Sequence, residues 1–308
     1  MEIYLPIADL PVNIFLLLAM GLAVGFISGM FGIGGGFLMT PLLIFIGVSP
    51  AVAVATVSTH IAASSMSGAV SYWRRRAIDL ALALMLLVGG IVGTQGGVWL
   101  FTRLRTVGQL DITIGISYVL LLTSVGAMMV ADGARAMLRQ RQGKPVPLRH
   151  SGSHTWIHGL PLKMRFKQSR IYVSAVPVVV IGWIMGFAGA ILGIGGGFLL
   201  VPMLIYLLRV PTNVVIGTSM VLTLVTMASA TVLHAMTNHL VDAVLALILM
   251  VGGVVGAQFG ARAGQKMRSE RLRLLLGALV LAVGLRFAFD LVVRPEDLFS
   301  IRPLEGVE

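Results

Sequence analysis

The sequence contains no cysteine, which excludes disulfides, thiolate metal centres and thiol redox switches. Charge is scarce as well: Asp, Glu, Lys and Arg make up 11% of 308 residues, against 57% apolar residues. An ordinary soluble globule carries about 25% charged residues, and the mean hydropathy of +0.96 points the same way. Acids are fewer than bases, 12 against 23, giving a net charge of +11. That charge does not point to nucleic acid, because the bases gather at the ends of apolar runs, as cytoplasmic anchors do. Nor do aromatic residues interleave with them to stack bases. A His-Glu-x-x-His sequence, paired carboxylates in a cleft and a Ser-His-Asp set are all missing, so enzyme chemistry has no candidate constellation. The N-terminal MEIYLPIADL lacks a basic region and a cleavage site follows nowhere, so the first apolar run is expected as a membrane helix, not a signal peptide. No ATPase-like segment is present, and any transport would draw on a gradient.

What is present is apolar and periodic. Apolar segments fall at about 12–30, 37–48, 51–72, 80–100 and 110–131, then at about 172–191, 198–208, 212–237, 243–262 and 272–293. The second and seventh are too short to span, because a crossing helix needs about 20 residues. Pro41 and Pro202 are expected at the starts of these short helices, where a missing N–H costs least. The fold class is therefore an all-α polytopic membrane protein.

The chain is also written twice. FGIGGGFLMTPLLIF at 31–45 returns as LGIGGGFLLVPMLIY at 192–206, 161 residues later, with ten of fifteen positions identical. Pro50 matches Pro211, Ser58 matches Ser219, Asp79 matches Asp242, and GGIVGTQGG at 89–97 matches GGVVGAQFG at 252–260. The expected organisation is a first membrane repeat at 1–131, a basic inter-repeat loop at 132–171, and a second repeat with a short tail at 172–308. If each long and short segment form a hairpin without net crossing, each repeat has five segments. With the N-terminus outside, 18 of the 23 Lys and Arg then face the cytoplasm. If each pair is instead one broken crossing, the split is 14 inside to 8 outside. The positive-inside rule favours the first arrangement, whose odd segment count turns the repeats upside down relative to each other. Inverted repeats are the geometry of alternating access.

Glycine runs that interrupt membrane helices must be buried in protein or line a cavity, and paired interruptions in matching halves point to a transporter's binding site. Gly34, Gly35 and Gly36, with Gly195, Gly196 and Gly197, are expected to aim backbone N–H groups and positive helix ends at a small anion. A nucleotide-binding loop would need a preceding strand and an acidic partner, both absent. Ser58 and Ser219 fall eight residues after matched prolines, with Thr59 and Thr218 beside them, and are candidate donors. Hydroxyls in membrane helices also bond back to their own helix. His60 lies in a segment with no other ionisable group, as an anion donor or a proton relay; its counterpart is Val221. His234 and His239 are expected at an interface. Gln95 and Gln258, matched across the repeat, are expected buried and facing the cavity.

The 132–171 loop carries nine bases and one acid. Leu160, Leu162, Met164 and Phe166 alternate with bases there and suit an anionic lipid surface, or the loop is a solvated linker. His150, His154 and His158 recur every fourth residue, but Gly152 argues against a helix and no metal or other cofactor is expected. The duplicated GIGGGFL-x-x-P motif, the Pro and Ser landmarks and the GG-x-VG-x-Q-x-G segment resemble the sulfite exporter TauE/SafE family over nearly all of 12–293. The resemblance implies a bacterial inner-membrane permease for small anions such as sulfite, sulfoacetate or other organosulfonates, working by alternating access, and it is compatible with a homo-oligomer. The other reading is an anion-binding scaffold or sensor subunit that does not transport.

Overall fold

A computed structural model describes residues 2–31, 34–74, 76–141, 163–166, 168–169, 171–195, 197–206, 212–264 and 269–293. The chain opens with a β-hairpin, β1 (Glu2–Leu5) and β2 (Leu10–Asn13). It continues through α1 (Ile14–Phe31), α2 (Gly36–Phe45), α3 (Pro50–Arg74), α4 (Leu80–Thr106) and α5 (Leu110–Arg141). The second half repeats the order: β3 (Lys163–Phe166), β4 (Ile171–Ser174), α6 (Ala175–Leu192), α7 (Gly197–Tyr206), α8 (Thr212–Leu233), α9 (Ala243–Gly264) and α10 (Ser269–Val293). A π-helical turn, His234–Asn238, extends α8. Every expected apolar segment is a helix.

The differences have physical causes. Helix α5 runs past 131 to Arg141, because Ala, Met, Leu, Arg and Gln there are good helix formers even where they are not apolar. The two hairpins go unanticipated, since four-residue strands without an Asn-Gly turn give almost no periodic signal. In the strip read as lipid-facing, Phe166 is instead buried, paired through β3 with Ile171 of β4. Pro41 lies inside α2, not at its start, so that short helix lacks a ladder bond. Gly196, the loop histidines and four of the nine bases of the 132–171 loop (Lys144, Arg149, Lys167 and Arg170) fall outside the described residues.

Six described helices are long and apolar enough to cross a membrane: α1, α4, α5, α6, α8 and α9. Helix α3 is long enough, but its buried face carries Thr56, Ser58, His60, Ser64 and Ser65. It sits centrally, packed on α8, α9 and α2, so lipid does not dictate its composition. Phe45 is followed by Gly47, which packs against Leu10, just before α1. The α1–α2 pair therefore returns to the end where it began, and makes no net crossing.

Glycine stripes set the helix pairs. Gly21, Gly25 and Gly29 of α1 face Leu249, Gly253 and Ala257 of α9, so the two helices run parallel; a methyl group on Gly25 would lie 2.3 Å from Gly253 O. Likewise Gly89, Gly93 and Gly97 of α4 face Val179, Trp183 and Phe187 of α6. Small residues permit this backbone approach in membranes. Helices α3 and α8 run antiparallel, with Thr59 beside Thr231 and Gly68 against Met220. So do α5 and α10, with Gly126 on Leu281 and Gly133 on Leu274. Repeat mates thus meet head to tail, and each half's first helix packs on the other half's fourth.

Two carboxylates lock the halves together. Asp242 caps α9 through Val244 N–H at 3.1 Å and Leu245 N–H at 3.0 Å, while its other oxygen accepts from Ile7 N–H at 3.0 Å and Ala8 N–H at 3.3 Å. Asp79 caps α4 through Leu82 N–H at 3.2 Å and accepts from Ser169 N–H at 2.9 Å and Oγ–H at 2.8 Å. Each hairpin turn is pinned to the opposite repeat's aspartate.

Candidate functional site

The two glycine kinks meet. Gly34 and Gly35 take φ of 90° and 66°, and Gly193 and Gly195 take 63° and 67°, left-handed values that suit glycine. Tyr118 OH donates to Leu192 O at 2.5 Å, and Thr40 donates to Gly193 O at 3.3 Å, so α5 and α2 hold the second kink in place. A methyl group on Gly36 would come within 2.3 Å of Gly193 O and 2.2 Å of Ile61 Cδ1. Ile61 of α3 is wedged between the kinks, and Thr223 of α8 donates to Gly195 O at 3.4 Å. The kinks converge, but they converge packed. Within the first kink Gly36 N–H is bonded to Gly34 O at 2.9 Å and Leu38 N–H to Gly35 O at 3.1 Å. In this conformation those donors are engaged locally.

Of the hydroxyl candidates, Ser58, Thr218 and Ser219 are buried and Thr59 is half-buried. Ser58 donates to Val54 O at 3.0 Å and Ser219 to Ile216 O at 2.8 Å, each within its own helix. Thr59 bonds Thr231 across the α3–α8 seam at 3.4 Å, and Thr218 Oγ accepts from Asp79 N–H at 3.3 Å. His60 is fully buried with Nδ1 2.8 Å from Leu249 O. Gln95 and Gln258 are a correction: both are exposed, not buried. Each stands two residues from the glycines that pack its helix, about 200° round the axis, so its side chain points away from the seam; Gln258 still faces the cavity described below, whereas Gln95 does not line it. His234 is also a correction, since it is buried, donates to Ala190 O at 3.1 Å and accepts from Asn238 at 3.2 Å.

A cavity of about 770 Å³ lies between α1, α3 and α9, within the roughly 300–1,000 Å³ usual for small-molecule sites. Ser28, Ser64, Ser67 and Gln258 line its walls, and the exposed Arg74 and Arg262 stand at its open end. Its deep end abuts the first kink: a methyl group on Gly35 would sit 3.4 Å from Ser28 Oγ. A basic mouth, hydroxyl and amide walls and a glycine kink at the end together suit a small anion. At the matching place in the other half the packing is closed. Phe101 and His234 are buried edge to face, Thr102 donates to Asn238 Oδ1 at 3.1 Å, and Arg105 donates to Asn238 O at 2.8 Å. Sequence reasoning overlooked Ser28, Arg74 and Arg262 as neighbours. The signal for Ser28 was the small-residue stripe Gly21, Gly25, Ser28, Gly29 leading into the kink.

Residues 17–287 match the family pattern of the sulfite exporter TauE/SafE proteins. The chain belongs to the sulfite exporter TauE/SafE family. Among this family member's relatives is a probable membrane transporter protein, YjnA, of Bacillus subtilis (strain 168), 26% identical over 88% of this chain and 98% of its own length. A probable membrane transporter protein of Xylella fastidiosa (strain 9a5c) is 30% identical over 85% of this chain and 90% of its own. Sulfite exporter TauE/SafE family protein 2 of Arabidopsis thaliana is 32% identical over a shorter stretch, 36% of this chain. No solved structure matches. The TauE/SafE chain is a multi-pass membrane protein of a transporter family.

Proposed function

We propose that the protein is a secondary transporter that moves a small sulfur oxyanion or organosulfonate, such as sulfite or sulfoacetate, across the bacterial inner membrane by alternating access. The carrying observation is the cavity between α1, α3 and α9, with Arg74 and Arg262 at its mouth and the paired glycine kinks beyond its deep end. The two arginines concentrate anions at the entrance. The serines and Gln258 supply neutral donors along the wall, which bind an anion without holding it as tightly as a buried cation would. The antiparallel repeat mates support an inverted pair, so that the cavity closes on one side as the Phe101–His234–Asn238 seal opens on the other. With the N-terminus outside, the cavity faces the cytoplasm, and an inside-negative potential favours anion exit by about 2.3 kcal/mol per charge per 100 mV. In the same orientation, exposed Arg165 and Met164 of β3 face the cytoplasmic leaflet and suit anionic lipid.

Vesicles loaded with the purified protein test this at pH 8, where sulfite is ionised and does not cross lipid unaided. Labelled sulfite or sulfoacetate is expected to enter protein-containing vesicles and not empty ones, with Arg262→Glu slowing entry about tenfold. Binding of either anion without flux would identify an anion-binding scaffold instead.

A further inference from the structure

Among the described residues, two buried side-chain polar atoms have no hydrogen-bond partner, His60 Nε2 and Ser65 Oγ, and both belong to α3. Buried polar atoms are rarely left this way, because desolvation then goes uncompensated. The ring's other nitrogen fixes its tautomer. Nδ1 is 2.8 Å from Leu249 O, an acceptor, so Nδ1 carries the hydrogen and Nε2 presents a bare lone pair. The ring fits only because α9 has glycine opposite: a methyl group on Gly253 would lie 2.0 Å from Cε1. Gly253 adjoins Val254, and Ser64 is the next turn of α3; both line the cavity. His60 therefore sits one helical turn, about 5.4 Å, behind the cavity's deep end.

Resting on the transport reading above, the geometry points to His60 Nε2 as the binding site of a proton that travels with the anion. The proton comes from the aqueous phase the cavity faces, forms an N–H bond at Nε2, and is given up to the opposite phase. No electron moves and no other bond changes. An imidazolium alone in this segment is disfavoured, and so is an anion alone in the cavity; each relieves the other. Such mutual stabilisation is reciprocal, so the two ligands bind better together than apart.

The surroundings leave His60 without competition. Helices α1, α2, α6 and α8 carry no ionisable residue, and the buried His234 in the π-helical extension of α8 has both ring nitrogens engaged, with Ala190 O and Asn238. Helix α9 carries Arg262, 13 residues from Leu249 and about 20 Å along the axis, and its cap Asp242 lies about 10 Å the other way. Helix α3 itself adds Tyr72 and Arg74 at its far end, and α5 adds Asp111, Tyr118, Asp132 and the bases beyond it. Val221, at the matching place in the second half, cannot take a proton, so the site belongs to one repeat.

The test uses full-length protein in vesicles, with labelled sulfoacetate as probe and the potential clamped at zero by potassium and valinomycin. Uptake without a pH gradient tests the transport reading alone. With the outside more acidic by 1 pH unit, the unaltered protein is expected to concentrate sulfoacetate towards the about tenfold that one proton per anion allows. His60→Asn, whose amide stands in for Nδ1–H but takes no proton, is expected to let sulfoacetate equilibrate without concentrating it. Equilibration without concentration by the unaltered protein, or concentration by His60→Asn, overturns the proton site and leaves the transport reading standing. If His60→Asn carries no sulfoacetate, calorimetry in buffers of different ionisation enthalpy decides. The unaltered protein is then expected to take up about one more proton per bound anion than the variant; equal uptake overturns the proposal.

Discussion

At the residue scale, Asp242 is tightly held: its two oxygens accept four backbone N–H groups, two from the N-terminal hairpin turn and two from the start of α9. Asp242→Asn keeps one acceptor and turns a donor towards the Ile7–Ala8 turn. It should cost about 1.5–3 kcal/mol, read as a lower melting temperature in detergent, with Asp79→Asn matching it through Ser169. Gly195 is constrained by backbone and by space. Gly195→Ala imposes a left-handed conformation worth about 1–2 kcal/mol and drives a methyl to 2.6 Å from Ile61 Cγ2. Adding Ile61→Ala should recover part of the loss, by relieving the collision but not the backbone cost. The sequence marks Asp79 and Asp242 as a matched pair but not what they hold, because short hairpin turns leave almost no pattern to read.

At the element scale, long apolar runs made the helices legible, since bilayer thickness and the 1.5 Å rise tie run length to crossing. The kinks were legible because duplication repeats them. What went unread was exposure. In α9 the seam is set by Gly252, Gly253, Gly256 and Gly260, and Gln258 falls between the last two, turned off the seam onto the open cavity wall. The same spacing turns Gln95 outward from α4. Laying the glycines on a helical wheel would have shown it. The two glycine seams should fail alike. Gly25→Val and Gly186→Val each push a side chain into a backbone carbonyl, where a methyl alone would sit 2.3 Å from Gly253 O or 2.0 Å from Gly90 O. Each should cost about 1–3 kcal/mol, measured as a similar drop in the folded fraction after extraction.

At the scale of the whole molecule, Arg74 ends α3 and Arg262 ends α9, and the structure brings both to one mouth. Counting charges already favoured the arrangement in which α1–α2 and α6–α7 make no net crossing, and a shared mouth for Arg74 and Arg262 favours it again. In this Cys-free chain, Arg74→Cys and Arg262→Cys should react with an impermeant thiol reagent from the same side, the cytoplasmic one, in oriented membrane vesicles. Reaction from opposite sides would restore the broken-crossing topology. On the alternating-access proposal, the closed seal at Phe101, His234 and Asn238 opposite an open cavity would be one end state of a two-state cycle. Ser67→Cys, partway along the cavity wall, tests the central claim most directly. A negatively charged thiol reagent should stop sulfite or sulfoacetate flux in vesicles, and either anion should slow the labelling. Complete labelling with flux unchanged would show that the anion does not pass through this cavity.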